Sequence, residues 1–192
     1  MTKNRIEAFS DGVFAIIITI MVLEFKIPHS SSIKELVHLL PIFISYLMSF
    51  VYVGIYWANH HHLLHTVEKV TSAIIWSNMG LLFFLSLIPF TTGWMGENHF
   101  DTIPVVVYAV NLLLSGVAFY ILQNVIMSGI THRTKLIEAL EKQKVKGIAS
   151  IIIYSLAIPC AYFSTIVSAI LFALVSIMWI IPDKNVEKAL ED

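Results

Sequence analysis

The chain has 192 residues, 57% hydrophobic and 13% charged, with a net charge of −1 and a mean hydropathy of +0.80. A soluble globular domain is about half apolar and about a quarter charged, so this balance predicts an integral membrane protein. The near-neutral charge excludes a nucleic-acid partner, and a single cysteine, Cys160, excludes an internal disulfide framework or a multi-cysteine metal site.

The first apolar run, 6–25, opens on a polar cluster of Arg5, Glu7, Ser10, Asp11 and Gly12 and is then interrupted only by Thr19 before Glu24. Twenty helical residues rise about 30 Å, the thickness of a bilayer's hydrocarbon core. Asp11 lies well inside that span, where an unpaired carboxylate is costly, so it predicts a packed polar site. No small-residue cleavage site follows the apolar core, where Glu24-Phe25-Lys26 stands instead. The segment is therefore expected to be retained.

Further apolar runs cover 36–57, 74–92, 103–126 and 148–181. The first four runs each suit one crossing, whereas the last is too long for one. Pro159, followed by Ser164-Thr165, splits it into two short helices, giving six crossings, with five plus a re-entrant hairpin as the alternative. Ser30-Ser31-Ser32 ahead of Lys34-Glu35 suits the N-cap of the second helix. Pro89 bends or ends the third helix, and Asp101 or Thr102 caps the fourth with Pro104 in its first turn. The stretch 131–146 is charged and amphipathic, with Leu136, Ile137 and Leu140 on one face. It is read as an interfacial helix able to meet anionic headgroups, or as a solvated connector. The tail after Pro182 is short and charged.

Lysine and arginine set the orientation. With the N-terminus inside, the inner segments hold Lys3, Arg5, Lys69, Arg133, Lys135, Lys142, Lys144, Lys146, Lys184 and Lys188, and the outer ones hold Lys26 and Lys34. Both termini are thus expected to be cytoplasmic. No internal repeat, glycine-rich phosphate loop, nucleophile elbow or HExxH is present, so an enzyme is not expected.

On a helical wheel Ile16, Thr19, Ile20 and Leu23 share one face, extended by Phe9 and Gly12. Asp11 lies roughly 140° from Ile16 and is expected to point into the protomer's own bundle. The run Arg5-x-x-x-Phe9-Ser10-Asp11-Gly12, leading into Phe14-Ala15-Ile16-Ile17 and Thr19-Ile20, resembles the signature of the transmembrane-protein-175 family of potassium channels. Trp57-x-x-His60-His61 at the end of the second crossing and Trp76-Ser77-Asn78 at the start of the third resemble its second pattern. The later helices match only in number, and His62 and His65 are additional.

The resemblance implies an all-α, six-helix subunit assembled as a homotetramer in the plasma membrane, its pore lined by first helices and conducting K+. Ile16, Ile20 and Leu23 would form the hydrophobic constriction, and Thr19 a hydroxyl layer. Arg5, Phe9, Ser10 and Asp11 would form an anchoring network with Trp57, His60 or His61, and Asn78. The partners expected are further copies of the chain, lipid and potassium ions, with no cofactor or metal. One six-helix unit offers no polar conduit of its own, so a pore needs several copies about an axis. Rings of Ile16 and Leu23 would stack over about 10 Å and could close by dewetting. The TVGYG loop is absent, so selection would rest on pore width, partial dehydration and the Thr19 hydroxyls, giving modest potassium preference.

Other residues have plainer readings. His61 and His65 are spaced i, i+4 as metal ligands can be, yet helix-end histidines are the default. Glu24 is an interfacial acid or a cation attractor whose field Lys26 would partly cancel. Asn111, Ser115 and Gly116 are packing residues, and Trp94 and Trp179 interfacial anchors. A proton-coupled small-solute transporter relaying through Asp11, Glu24 and the histidines is the alternative function, and a non-conducting scaffold or an intramembrane enzyme comes last.

Overall fold

The computed structural model describes residues 2–28, 30–130 and 134–180, and every regular element in them is helical. The tail after Pro182, together with residues 131–133, lies outside the described residues. In chain order the helices are α1 (Lys3–Leu23), α2 (Ile33–His38), α3 (Leu40–His65), α4 (Ser72–Ser86), α5 (Ile88–Glu97), α6 (Thr102–Met127), α7 (Thr134–Phe163) and α8 (Thr165–Ile180). Five spans are long and apolar enough to cross a membrane, α4 and α5 together making one of them, and α8 is a shorter apolar helix. Five membrane-capable spans and one shorter apolar helix thus stand among the described residues where the apolar runs predict six crossings.

Several boundaries fall where local chemistry puts them. Ser32 caps the six-residue α2, its hydroxyl accepting from the Lys34 N–H at 3.3 Å, so the second crossing begins only at Leu40, with Pro41 in its first turn. Pro89 separates α4 from α5. The side-chain amide of Asn111 on α6 stitches that break. Oriented so that both its groups are satisfied, it donates to the Phe84 carbonyl at 2.9 Å and accepts from the Ile88 N–H at 3.3 Å. Asp101 is the N-cap residue of α6 but makes no side-chain capping bond.

Two expectations are corrected. The last apolar run breaks at Ser164, and Pro159 sits inside α7. A proline removes one backbone donor without ending α7, and separately Ser168 on α8 donates to the Ala157 carbonyl at 2.7 Å and holds the two helices together. Nor, from Thr134 on, is the charged stretch a separate interfacial helix or a solvated connector, for those residues are the first part of α7 itself. Leu136 and Leu140 are buried in the bundle, and Gln143 joins Gln123 on α6 to Asn59 on α3.

Helix α6 is the centre of the bundle, packing against α4, α5 and α7, while α1 packs on α3, α4 and α5 at one side. At the far end of α1, α5 meets α3 so closely that a Cβ on Gly96 would lie 2.9 Å from the Ile42 Cα and collide with the Ser45 hydroxyl. The left-handed residues His99 and Phe100, at φ 50° and 61°, then turn the chain into α6.

Candidate functional site

Helix α1 has two unlike faces. Ile6, Ser10, Phe14, Ile17 and Met21 are buried against the bundle. At 100° per residue they cluster within roughly 80° of arc, and the Ile16–Thr19–Ile20–Leu23 stripe is turned roughly 120° away from them. That stripe is open: Ile16 is 57% exposed and Leu23 78%, and Ile20, Phe9, Gly12 and Thr19 are exposed too. A protomer that leaves seven residues' length of apolar side chains uncovered has a face for lipid or for another chain. The Thr19 hydroxyl donates back to the Ile16 carbonyl at 2.9 Å, which leaves its oxygen lone pairs outward.

Behind the buried face lies a polar relay. Asn78 near the middle of α4 donates to the Ser10 hydroxyl at 3.0 Å and pairs through its carbonyl oxygen with His60 Nε2 at 2.6 Å. Ser10 in turn donates to the Ile6 carbonyl at 2.8 Å. All three side chains are buried, and Phe14 packs on the His60 ring with centroids 5.4 Å apart. Buried amides and hydroxyls are tolerated only when paired, so these contacts fix α1 against α3 and α4 in one register. The sequence left His60 and His61 as alternatives, and the structure gives this place to His60.

Of the rest of the predicted network, the contact between Asp11 and Trp57 is present, and the other residues are arranged differently. Asp11 is exposed at the edge of the bundle, where it accepts one hydrogen bond, from Trp57 Nε1 at 3.0 Å. The buried arc of α1 is centred on the Ser10 side, and Asp11 lies roughly 100° further round, so the expectation that it points into the protomer's core is wrong. The Arg5 side chain is exposed and forms no ion pair with Asp11 or any other described residue. Phe9 is 48% exposed on the open stripe. His61 joins Trp57 and His65 in an exposed row of rings, apart from the relay. Sequence reasoning assigned no role to Glu7. One of its carboxylate oxygens is buried with no hydrogen-bond partner. Its place one helical turn before Asp11 was the available signal.

At the opposite end of α1, Glu24 rests against α5, its Oε2 2.9 Å from where a Gly93 Cβ would stand. Lys26 does not face Glu24 first. It pairs with Glu97 at 2.6 Å, and that hydrogen bond and charge raise the lysine above its ordinary range. The expected cancellation of Glu24 by Lys26 is therefore weaker than the sequence suggested. A recess of about 340 Å³ runs along the stripe between Ile16, Ile20 and Glu24 on one wall and Ser86 and Phe90 on the other. Among the described residues no group of three or more His, Cys, Asp or Glu side chains is placed to hold a metal ion.

Three comparisons bear on this arrangement. A family model described as endosomal/lysosomal potassium channel TMEM175 matches residues 5–89, the segment holding the stripe and the whole relay. A protein from Chryseobacterium sp. (strain P1-3), named a potassium channel, is 50% identical over 192 residues, covering 100% of both chains. The human endosomal/lysosomal proton channel TMEM175 is 41% identical over 99 residues, which are 45% of this chain and 19% of that one. Among solved structures, that of a lysosomal potassium-selective channel TMEM175 homolog from Chamaesiphon minutus superposes with a TM-score of 0.84 at 26% identity. It covers 94% of this chain and 97% of that one.

Proposed function

The chain belongs to the TMEM175 family, and on that premise we propose that it is a potassium-permeable cation channel. Four copies surround an axis, with α1 of each lining the path. Ile16, Ile20 and Leu23 form the hydrophobic gate, and Thr19 supplies a ring of hydroxyl oxygens between them. Both termini are cytoplasmic and the membrane is the plasma membrane.

The observation that carries this reading is the division of α1 into a face locked by the Ser10–Asn78–His60 relay and an opposite apolar stripe left uncovered by its own protomer. The relay sets the rotation of α1, so the stripe is presented in a fixed direction. Apolar rings at that place hold back ions when dry and pass them when wetted. Without backbone carbonyl ligands, the larger and more easily dehydrated ion is favoured only modestly.

The test is flux through purified protein in liposomes. A potassium gradient should drive current whose reversal potential lies nearer potassium than sodium, at rates far above single-turnover transport. Slow, saturable, proton-dependent flux would instead support the transporter reading. Because relatives carry the name proton channel, proton flux belongs in the same measurement.

A further inference from the structure

The histidine row at the end of α3 is not used by the relay. His61 and His65 lie one helical turn apart, a spacing that puts their Cβ atoms about 5–6 Å apart on one face. Their rings are stacked with centroids 6.0 Å apart and planes 26° from parallel. Both side chains are exposed, and neither ring nitrogen has a hydrogen-bond partner among the described residues. Two free imidazoles in that relation can swing onto one ion at nitrogen–metal distances of about 2.0–2.1 Å. The last turn that carries them is held in place, since Lys3 donates to the His65 carbonyl at 2.6 Å.

From this we infer that His61 and His65 form a two-histidine site for a transition-metal ion, with water completing the coordination. Imidazole ligands select copper, nickel and zinc in the order Cu2+ above Ni2+ and Zn2+, whereas Mg2+ and Ca2+ want oxygen ligands. The Lys3 ammonium adds unfavourable charge nearby, and the Asp11 carboxylate, held by Trp57, opposes it. The Trp57 indole lies 6.2 Å from the His61 ring and bonds Asp11 of α1. An ion on the pair is thus one ring away from the contact that anchors the α1 edge. The inference does not depend on ion conduction.

Trp57 also supplies the readout. Untagged full-length protein in detergent is titrated with Cu2+ or Ni2+, following tryptophan fluorescence and, separately, bound metal by equilibrium dialysis. The expected result is about one ion per chain with quenching, and no response to Mg2+. Trp57→Phe should remove most of the quenching while dialysis still finds the ion. His61→Gln and His65→Gln should each weaken binding by at least about tenfold, with His62→Gln and His38→Gln unchanged. Wild-type affinity in the His61→Gln/His65→Gln double variant would overturn the site, as would equal loss in the His62 or His38 variants, or no stoichiometric binding at all. Thermal unfolding of each metal-free variant, expected to match the parent because both rings are exposed, separates a lost ligand from a lost fold.

Discussion

Asn78 is where the contacts behind α1 converge, because its amide serves Ser10 with one group and His60 with the other. Asn78→Ala removes both partners and strands a buried imidazole nitrogen, at a cost of about 1–3 kcal/mol. The expected outcome is a clearly lowered midpoint of thermal unfolding in detergent, with Asn59→Ala, whose amide is less buried, milder. In the proposed channel Thr19 would act through its lone pairs. Because its hydrogen goes to the Ile16 carbonyl, the oxygen is free to face a cation. Thr19→Ala should therefore reduce the potassium-to-sodium preference, by no more than roughly tenfold for the loss of one weak ligand interaction per subunit. That is read as a bi-ionic reversal potential moving toward zero. At the other end of α1, Glu97 holds the Lys26 charge, so Glu24 keeps its field. Glu24→Gln is expected to lower cation flux at low ionic strength and to leave it unchanged in high salt, where the field is screened.

Helix α1 is held in rotation on one side by the Ser10–Asn78–His60 contacts and leaves its apolar stripe open on the other. Ile16→Asn puts an amide into the stripe without touching the buried arc, so it should raise leak or relax selectivity while leaving the unfolding midpoint near the parent's. An unaltered current would count against the gate. The α4–α5 break depends on a side chain from another helix. Asn111→Leu leaves the Ile88 N–H without the acceptor that Asn111 provides, and a loss of about 1–3 kcal/mol in stability is expected. Gly96→Ala should be worse tolerated than Gly93→Ala. At Gly96 the added carbon meets the Ile42 backbone, which cannot swing away, and at Gly93 it meets the flexible end of Glu24.

At the scale of the molecule the open stripe needs neighbours. Leu23→Cys in a Cys160→Ala background should crosslink subunits under mild oxidation, whereas a cysteine at Ile166, 72% exposed on α8, should not. The reverse pattern would place α1 against lipid. Asp11→Ala removes an exposed carboxylate held by a single indole. It is expected to shift the assembled fraction on size-exclusion chromatography more than it changes the conductance of the channels that remain. If it instead lowered conductance and left assembly intact, Asp11 would belong to the path.

The sequence determined where the apolar helices run, because about twenty apolar residues in a row suit the thickness of a bilayer, and Ser32, Pro89 and Ser164 fall at or beside the breaks between helices. It also determined the stripe on α1, which follows from 3.6 residues per turn alone. Only the packed structure decided which histidine meets Asn78, since adjacent residues on a helix point roughly 100° apart and nothing local tells which of them faces inward. The same ambiguity misplaced Asp11, whose angle to Ile16 is fixed by the helix but whose angle to the bundle depends on how α3, α4 and α5 dock. The path of the charged stretch from Thr134 on was hidden for a related reason. Its apolar face fits a membrane surface and a helix bundle equally well, and the choice fell to Gln123 and Asn59, more than ten residues and more than seventy residues away in the chain, which meet Gln143 only once the helices are folded together.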